Sequence, residues 1–148
     1  MRHLVAFVLS LAGAYGQRPR PPARLNLELL PDRLAICRLN AEAEEPAWAQ
    51  QGNFTTITRT AQELSVVCPE ANVPRGIRCE PGRRAFRIAG TVDFAAIGMI
   101  ASLANPLAQA EISIFVVSTY DTDYLMVNES ALERAIEALQ AAGHEVRR

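Results

Sequence analysis

The stretch EISIFVVSTYDTDYLMV, residues Glu111 to Val127, decides the fold because it joins two strand-like runs through a polar segment. The first run, residues 112–117, is rich in β-branched and aromatic residues, and the second covers residues 124–127. Residues 118–123 between them (STYDTD, hereafter the elbow) carry two carboxylates and several hydroxyl groups. Such a turn at the end of a sheet can hold a polar ligand. The stretch therefore predicts a small-molecule-binding module, and it contains no nucleophile and base that would make an enzyme site.

The residues before this stretch predict a strand followed by a helix. A short strand at Ala85–Ala89 ends at Gly90, and Asp93 is the predicted N-cap of the helix. Pro106 is expected to kink or truncate the last turn, because proline removes one intrahelical hydrogen bond and crowds the carbonyl four residues earlier. The residues at helical spacing are Ile97, Ile100, Ala101, Ala104 and Ala108.

A second helix and a final strand follow the elbow. Ser130 and Glu133 fit a capping box at the start of this helix, and Gly143 suits the left-handed position after its end. The predicted buried stripe consists of Leu132, Ala135, Ile136 and Leu139. A strand at His144–Arg147 completes a βαββαβ order, which is the ferredoxin-like arrangement of an α+β fold.

The first helix differs from the second because it has almost no polar face. Gly98 and several alanines give it a small-residue surface that another element can approach closely, and an uncovered apolar face would be unfavourable. We expect the N-terminal half of the chain, a second copy of the protein, or both to cover it.

The N-terminal half is predicted to be mainly β, without a long helix. Its strand candidates are Leu25–Leu30, Leu34–Leu39, Phe54–Arg59 and Leu64–Cys68. Asn72–Gly82 has the prolines and glycines of a connector. The predicted division is a leader at residues 1–24, an N-terminal subdomain at 25–82 that is a reduced copy of the same architecture, and a C-terminal domain at 83–148.

Composition limits the range of functions. The chain has 148 residues, 49% hydrophobic and 21% charged, with a formal net charge of −1, so it suits about one domain with a real core. Its arginines cluster without interleaved aromatic residues, which argues against a nucleic-acid partner. Neither a metal site nor an acid–base site can be assembled around its two histidines, so no cofactor is predicted.

The cysteines and the N-terminal residues bear on the compartment. Cys37, Cys68 and Cys79 have no metal-ligand spacing, and we expect buried free thiols, with a Cys68–Cys79 disulfide as the alternative in an exported protein. Residues 1–16 have the pattern of a signal peptide and precede a linker rich in proline and arginine. A cytoplasmic location is predicted, with export as the alternative if residues 1–16 are a genuine signal. No membrane partner is predicted.

The chain resembles the small tandem ACT-domain proteins, a family related to the regulatory domains of aspartate kinase and to the cytosolic arginine sensor of animals. The STYDTDYLMV string directly after an ISIF strand makes this resemblance specific, and it extends over roughly residues 25 to 147. Further matching segments are LLPDRLAICRL, FTTITRT, ELSVVCPE, the stretch that begins RAFRIAGTVDFAAIGMIASLANPLAQA, and AAGHEV.

The resemblance implies an amino-acid-binding regulatory module without catalytic machinery, which pairs as a homodimer. Its effector would bind at the seam between paired units, between the loop that opens the first helix (residues 91–99) and the strand edge of a neighbouring unit, which corresponds to the elbow (residues 118–123). A helix N-terminus can receive a carboxylate through its free N–H groups, whereas Asp93 would repel an anion there. The implied site residues are Asp93, Ile97, Gly98, Met99, Ser118, Thr119, Asp121 and Asp123. Backbone groups near residues 97–99 would hold the carboxylate, and Asp121 or Asp123 would hold the cationic group.

Purely structural interpretations remain open for the same residues. Asp121, Asp123, Ser118 and Thr119 also suit a turn that satisfies its own backbone groups, and Gly98 also suits close helix packing. The rival function is a ligand-free scaffold for dimerisation or protein interaction. An enzyme is the weaker rival, since neither a nucleophile nor a phosphate-binding loop accompanies the carboxylates.

Overall fold

The computed structural model describes residues 24–91 and 97–148, which form an eight-stranded sheet and two α-helices. The α+β class and the ferredoxin-like character predicted from the sequence are confirmed. Single turns of 3-10 helix occur at Ala47–Gln50, Glu70–Asn72 and Glu129–Ala131. In chain order the elements are β1 (Asn26–Leu29), β2 (Leu34–Leu39), β3 (Thr56–Arg59), β4 (Leu64–Pro69), β5 (Cys79–Ile88), α1 (Met99–Gln109), β6 (Phe115–Ser118), β7 (Asp123–Asn128), α2 (Leu132–Ala141) and β8 (Glu145–Arg147).

Strand β5 is the centre of the sheet and joins the two halves of the chain. Both β1 and β2 pair antiparallel with it, β1 near its carboxyl end and β2 near its amino end, while β7 pairs along the other edge. The order is β3-β4-β2-β5-β1-β8, with β6 and β7 on the far side of β5. Strand β1 therefore lies between β5 and β8, so a strand from the N-terminal half completes the C-terminal βαββαβ unit.

The prediction that Asn72–Gly82 is a connector is wrong for its last residues. Strand β5 begins at Cys79, six residues before the predicted start at Ala85. Despite Pro81 and Gly82, the strand extends because β2 offers it a pairing edge, with Cys37 opposite Cys79 and Leu34 opposite Arg83. A pairing partner that is distant in the sequence overrides the local turn signal.

Three clusters of buried residues form the core. The largest lies between the sheet and the two helices, around Leu27, Phe86, Leu103 and Leu139. A second cluster occupies the N-terminal half, where Trp48 and the turn at Ala47–Gln50 pack with buried residues of β2 and β4. The third cluster includes Leu34 and Val67 from the N-terminal half and Ala85 and Met126 from the C-terminal half, so apolar packing joins the two halves.

Both helices begin differently from the prediction. Helix α1 begins at Met99 with Gly98 at the N-cap position, so the prediction of Asp93 as N-cap is wrong, and Asp93 itself lies outside the described residues. Ahead of α2, the side chain of Asn128 accepts a hydrogen bond from the N–H of Ser130, in place of the predicted capping box. Gly143 has φ of 92°, as predicted, and the predicted buried stripe of α2 is confirmed.

Helix α1 continues for one turn past Pro106 to Gln109, so truncation at the proline is not seen. The missing N–H of Pro106 leaves the carbonyl of Ser102 without its intrahelical donor. The Nε2 atom of buried His144 lies 3.1 Å from that carbonyl, and its Nδ1 atom lies 3.3 Å from the N–H nitrogen of Leu25. A neutral ring protonated at Nε2 satisfies both contacts. His144 thus ties α1 to the start of β1.

The expected free thiols are found for only one of the three cysteines. Cys37 and Cys79 form a disulfide across β2 and β5, where their Cα atoms are 4.0 Å apart, and Cys68 remains free and buried. Both the default expectation and the Cys68–Cys79 alternative are therefore wrong. The sheet register decides the pairing, because it places Cys37 directly opposite Cys79. Burial raises the pKa of the Cys68 thiol and keeps it protonated.

Within residues 24–91 and 97–148, no helix combines the length and the apolar character that a membrane crossing requires.

Candidate functional site

The elbow is a closed turn whose internal hydrogen bonds use the polar groups of Thr119. The N–H and the hydroxyl of Thr119 both donate to the carbonyl of Thr122, at 2.9 and 2.8 Å. The N–H of Thr122 in turn donates to the Thr119 hydroxyl at 3.3 Å. Thr119, which was predicted as a ligand-binding residue, therefore shapes the turn. This agrees with the alternative interpretation of Thr119 as a residue that satisfies the backbone groups of the turn.

A further hydrogen bond, from the side chain of Thr122, fixes the elbow to the end of β5. The side chain of Thr122 is 3% exposed, and its hydroxyl donates to the carbonyl of Ile88 at 2.8 Å. On the other side of β5, the N–H of Ala89 donates to the carbonyl of Asn26. Gly90, with φ of 83°, follows directly and begins the connection towards α1. The elbow is thus held where the chain leaves the sheet for α1.

The other proposed ligand-binding residues of the elbow are wholly or partly exposed to solvent. Ser118 and Asp121 are exposed, and Asp123 is half-buried opposite Ser118 in the β6–β7 ladder. Within the described part of the chain, neither carboxylate takes part in an ion pair. The elbow therefore presents two carboxylates that no arginine of the described residues pairs with.

The predicted residues at the opening of α1 are close to the helix N-terminus. Ile97 is 96% exposed, Gly98 is exposed and Met99 is half-buried. The first intrahelical bond runs from the N–H of Ser102 to the carbonyl of Gly98, and no side chain caps this end. The N–H groups of residues 99–101 thus have no protein acceptor among the described residues, and such groups can receive an anion.

The alternative interpretation of Gly98, close helix packing, has no support among the described residues. A Cβ atom built on Gly98 would meet none of their atoms within 4 Å. Its φ of 82° lies instead in the left-handed region, where L side chains are strained. Glycine is therefore required for the backbone conformation that begins α1.

Replacing Gly98 with alanine should destabilise the fold by about 1 kcal/mol through this strain. Gly76 is a matched control, because it also has positive φ and open space where a Cβ atom would lie, but is remote in sequence from the elbow and α1. Urea unfolding of Gly98→Ala and Gly76→Ala should show similar losses. A Gly98→Ala protein as stable as the wild type would contradict the left-handed assignment.

Sequence reasoning missed a row of side chains next to the elbow. Arg87 lies opposite Glu28 on one side and Tyr124 on the other, and its Nη1 atom is 3.0 Å from the Glu28 carboxylate. Burial opposes the charge of Arg87, but hydrogen bonds and charge interactions with Glu28 and Tyr124 outweigh it and raise the pKa of Arg87. Phe54 packs on Tyr124 with ring centroids 4.7 Å apart. Only the register of paired strands could have revealed this row.

A groove of about 260 Å³ lies near the opposite end of β5, away from the elbow. Ile36 and Phe115 contribute apolar walls, and charged residues of β2 and β5 line its rim. None of the predicted site residues lines this groove. In residues 24–91 and 97–148, no group of three acidic, histidine or cysteine side chains is arranged to hold a metal ion.

Comparison with known proteins identifies the family. A sequence profile of the ACT domain matches residues 78–141, and a second profile, described as an N-terminal domain, matches residues 32–76. A solved structure from Agobacterium tumefaciens is 40% identical, with a TM-score of 0.81, and the match covers 84% of this chain and 93% of that chain. The chain belongs to the ACT-domain family. The resemblance to ACT-domain proteins noted in the sequence is confirmed.

Two further similarities cover a shorter segment or concern the fold alone. The human protein named cytosolic arginine sensor for mTORC1 subunit 1 is 40% identical over 58 residues, which is 38% of this chain and 18% of the human protein. The chain thus matches about a fifth of that relative. Aspartate kinase from Clostridium acetobutylicum has a TM-score of 0.59 at 12% identity, over 82% of this chain and 35% of the enzyme, and shows the shared fold.

Proposed function

We propose that this ACT protein is a non-catalytic regulatory module that binds an amino acid between the elbow and the N-terminus of α1. The observation that carries the proposal is the pair of carboxylates, Asp121 and Asp123, which have no ion-pair partner within the described residues. They lie on a turn that satisfies its own hydrogen bonds, so the carboxylates stay available to a ligand.

The two ends of the proposed site suit the two charges of an amino acid. Asp121 or Asp123 would receive the ammonium or another cationic group. The N–H groups of residues 99–101 would receive the carboxylate, an interaction worth about 0.3–1 kcal/mol at an exposed helix end and up to about 2 kcal/mol when partly buried. Ile97, Gly98 and Met99 belong to this end of the site. Ser118 would add a hydroxyl, and Asp93 remains a proposed member because it precedes α1 in sequence.

The relatives support this proposal through what their names say of them. The human relative is named an arginine sensor, and 58 residues of this chain match it at 40% identity. An amino-acid effector and a cytoplasmic location for this chain are proposals of the same kind. Pairing of two copies as a homodimer is also proposed.

Removing the negative charge of either elbow carboxylate should weaken binding of the amino acid. Of the twenty amino acids, at least one should raise the Tm of the wild-type protein, because a ligand that binds only the native state stabilises it. Asp121→Asn and Asp123→Asn should each raise the Kd of the protein for that amino acid about tenfold, which is the loss of affinity expected for a charge-assisted hydrogen bond. Isothermal titration calorimetry measures both changes.

Glu137→Gln is the control, since Glu137 is an exposed carboxylate on α2 and its loss changes the net charge equally. It should leave the Kd unchanged. A wild-type protein that responds to none of the twenty amino acids and carries none through purification would refute the sensor proposal.

A ligand-free scaffold is the second candidate, favoured by the exposure of α1. Ile97 is 96% exposed, and Ala101 and Ala108 on the helix are exposed as well. Native mass spectrometry separates the two candidates. A stable dimer that is insensitive to every amino acid supports the scaffold, whereas a retained amino acid supports the sensor.

A further inference from the structure

Thr122 is a buried polar residue at the centre of the elbow, and the proposed contacts to ligand do not use it. It is 3% exposed, whereas its two neighbours in the chain are Asp121, which is exposed, and Asp123, which is half-buried. A buried hydroxyl is costly unless it forms a hydrogen bond. Its hydroxyl donates to the carbonyl of Ile88 at 2.8 Å.

This bond extends the contact between β5 and β7 beyond the end of their backbone pairing. The paired residues end at Arg87 opposite Tyr124, so the elbow begins where the ladder stops. Thr122 then joins the elbow to Ile88 by a side chain. The same residue closes the turn through its carbonyl and its N–H, which both bond to Thr119. One residue therefore fixes both the shape of the elbow and its place against β5.

The position of this anchor matters because the chain leaves the sheet directly after it. Ala89 is held on its other side by Asn26, and Gly90 turns the chain with φ of 83°. From there the chain continues to the N-terminus of α1, which is the other end of the proposed site. If the elbow shifts relative to Ile88, its two carboxylates also shift relative to the segment that leads from Gly90 to α1.

We propose that Thr122 is a positioning residue, whose buried hydroxyl holds Asp121 and Asp123 in place against the end of β5 for ligand binding. Its effect on ligand affinity rests on the proposed function. Its effect on the elbow itself does not. The hydroxyl acts through the two carboxylates and makes no contact with the ligand.

The test compares Thr122→Val, which keeps the shape and removes the hydroxyl, with Thr122→Ser, which keeps the hydroxyl. Amide hydrogen exchange of the full chain without ligand should be at least about tenfold faster at residues 118–123 in Thr122→Val, and close to wild type in Thr122→Ser. Exchange in α2 serves as the internal reference. Equal elbow exchange in the valine variant and the wild type would overturn the positioning role, whether or not a ligand is known.

The binding measurement uses the amino acid that raises the Tm of the wild-type protein most. The Kd should rise about tenfold in Thr122→Val and return to near the wild-type value in Thr122→Ser. If the role of Thr122 were purely structural, Thr122→Val would lower the Tm of both the free and the ligand-bound protein without changing the Kd. This result would overturn the link to binding. Absence of any wild-type response refutes the proposed function, while the exchange result still decides the positioning role. If Thr122→Val does not fold, faster elbow exchange in Thr122→Ala supports the role and unchanged exchange overturns it.

Discussion

Removing the Cys37–Cys79 disulfide should destabilise the protein by about 4 kcal/mol, which makes it one of the two largest effects that we expect. The crosslink spans 42 residues, and a loop of this length removes a corresponding amount of conformational entropy from the unfolded chain. It also joins β2 to the start of β5 in a half that contains no long helix among its described residues. Urea unfolding of the Cys37→Ala/Cys79→Ala double variant measures the loss.

The third cysteine provides the control. Cys68→Ala should lose much less stability, and reducing agent should still lower its Tm as it lowers that of the wild type. Reducing agent should leave the Tm of the Cys37→Ala/Cys79→Ala variant unchanged. The oxidised, denatured wild type should contain one titratable thiol, that of Cys68. Three titratable thiols, together with a Tm that ignores reductant, would show that the disulfide does not form.

Replacing His144 with phenylalanine should cost about 3 kcal/mol, because it keeps an aromatic ring but leaves one buried and one partly buried backbone group without partners. These groups are the carbonyl of Ser102 and the N–H of Leu25. For a domain of this size the Tm should fall by roughly 10 °C. Thermal unfolding followed by circular dichroism measures the change.

Pro106 allows a specific test of this explanation. In Pro106→Ala, residue 106 regains an N–H that can donate to the Ser102 carbonyl within the helix. His144→Phe should therefore cost about 1 kcal/mol less in the Pro106→Ala background than in the wild type. Strictly additive losses would mean that His144 does not compensate for the proline.

Local signals were sufficient where an element is stabilised by its own residues. Strand β2 has its predicted bounds, and the two strands around the elbow lie within about three residues of theirs. The buried stripe of α2 and the left-handed Gly143 follow directly from helical periodicity and glycine chemistry. The elbow was recognised as a polar turn because its residue types favour turns wherever they occur.

Local sequence patterns failed to predict features that depend on a contact with a residue far away in the chain. Asp93 had the right residue type for an N-cap, yet Gly98 occupies the N-cap position of α1. The proposed site is divided in the same way. Its carboxylates could be named from the sequence, whereas the anchoring bond from Thr122 to Ile88 and the row of Glu28, Arg87 and Tyr124 required the strand register.

The sequence by itself determined the α+β class, the buried face of α2 and the polar elbow, because hydrophobic periodicity and turn chemistry act over a few neighbouring residues. The residues predicted at helical spacing in the first helix do not form the buried face of α1, which consists of Ser102, Leu103 and Leu107. Only the tertiary structure decided that β1 inserts between β5 and β8, that Cys37 pairs with Cys79, and that His144 meets the carbonyl exposed by Pro106. Each of these depends on residues 42 or more positions apart that the sheet brings together. Local propensity carries no information about such partners.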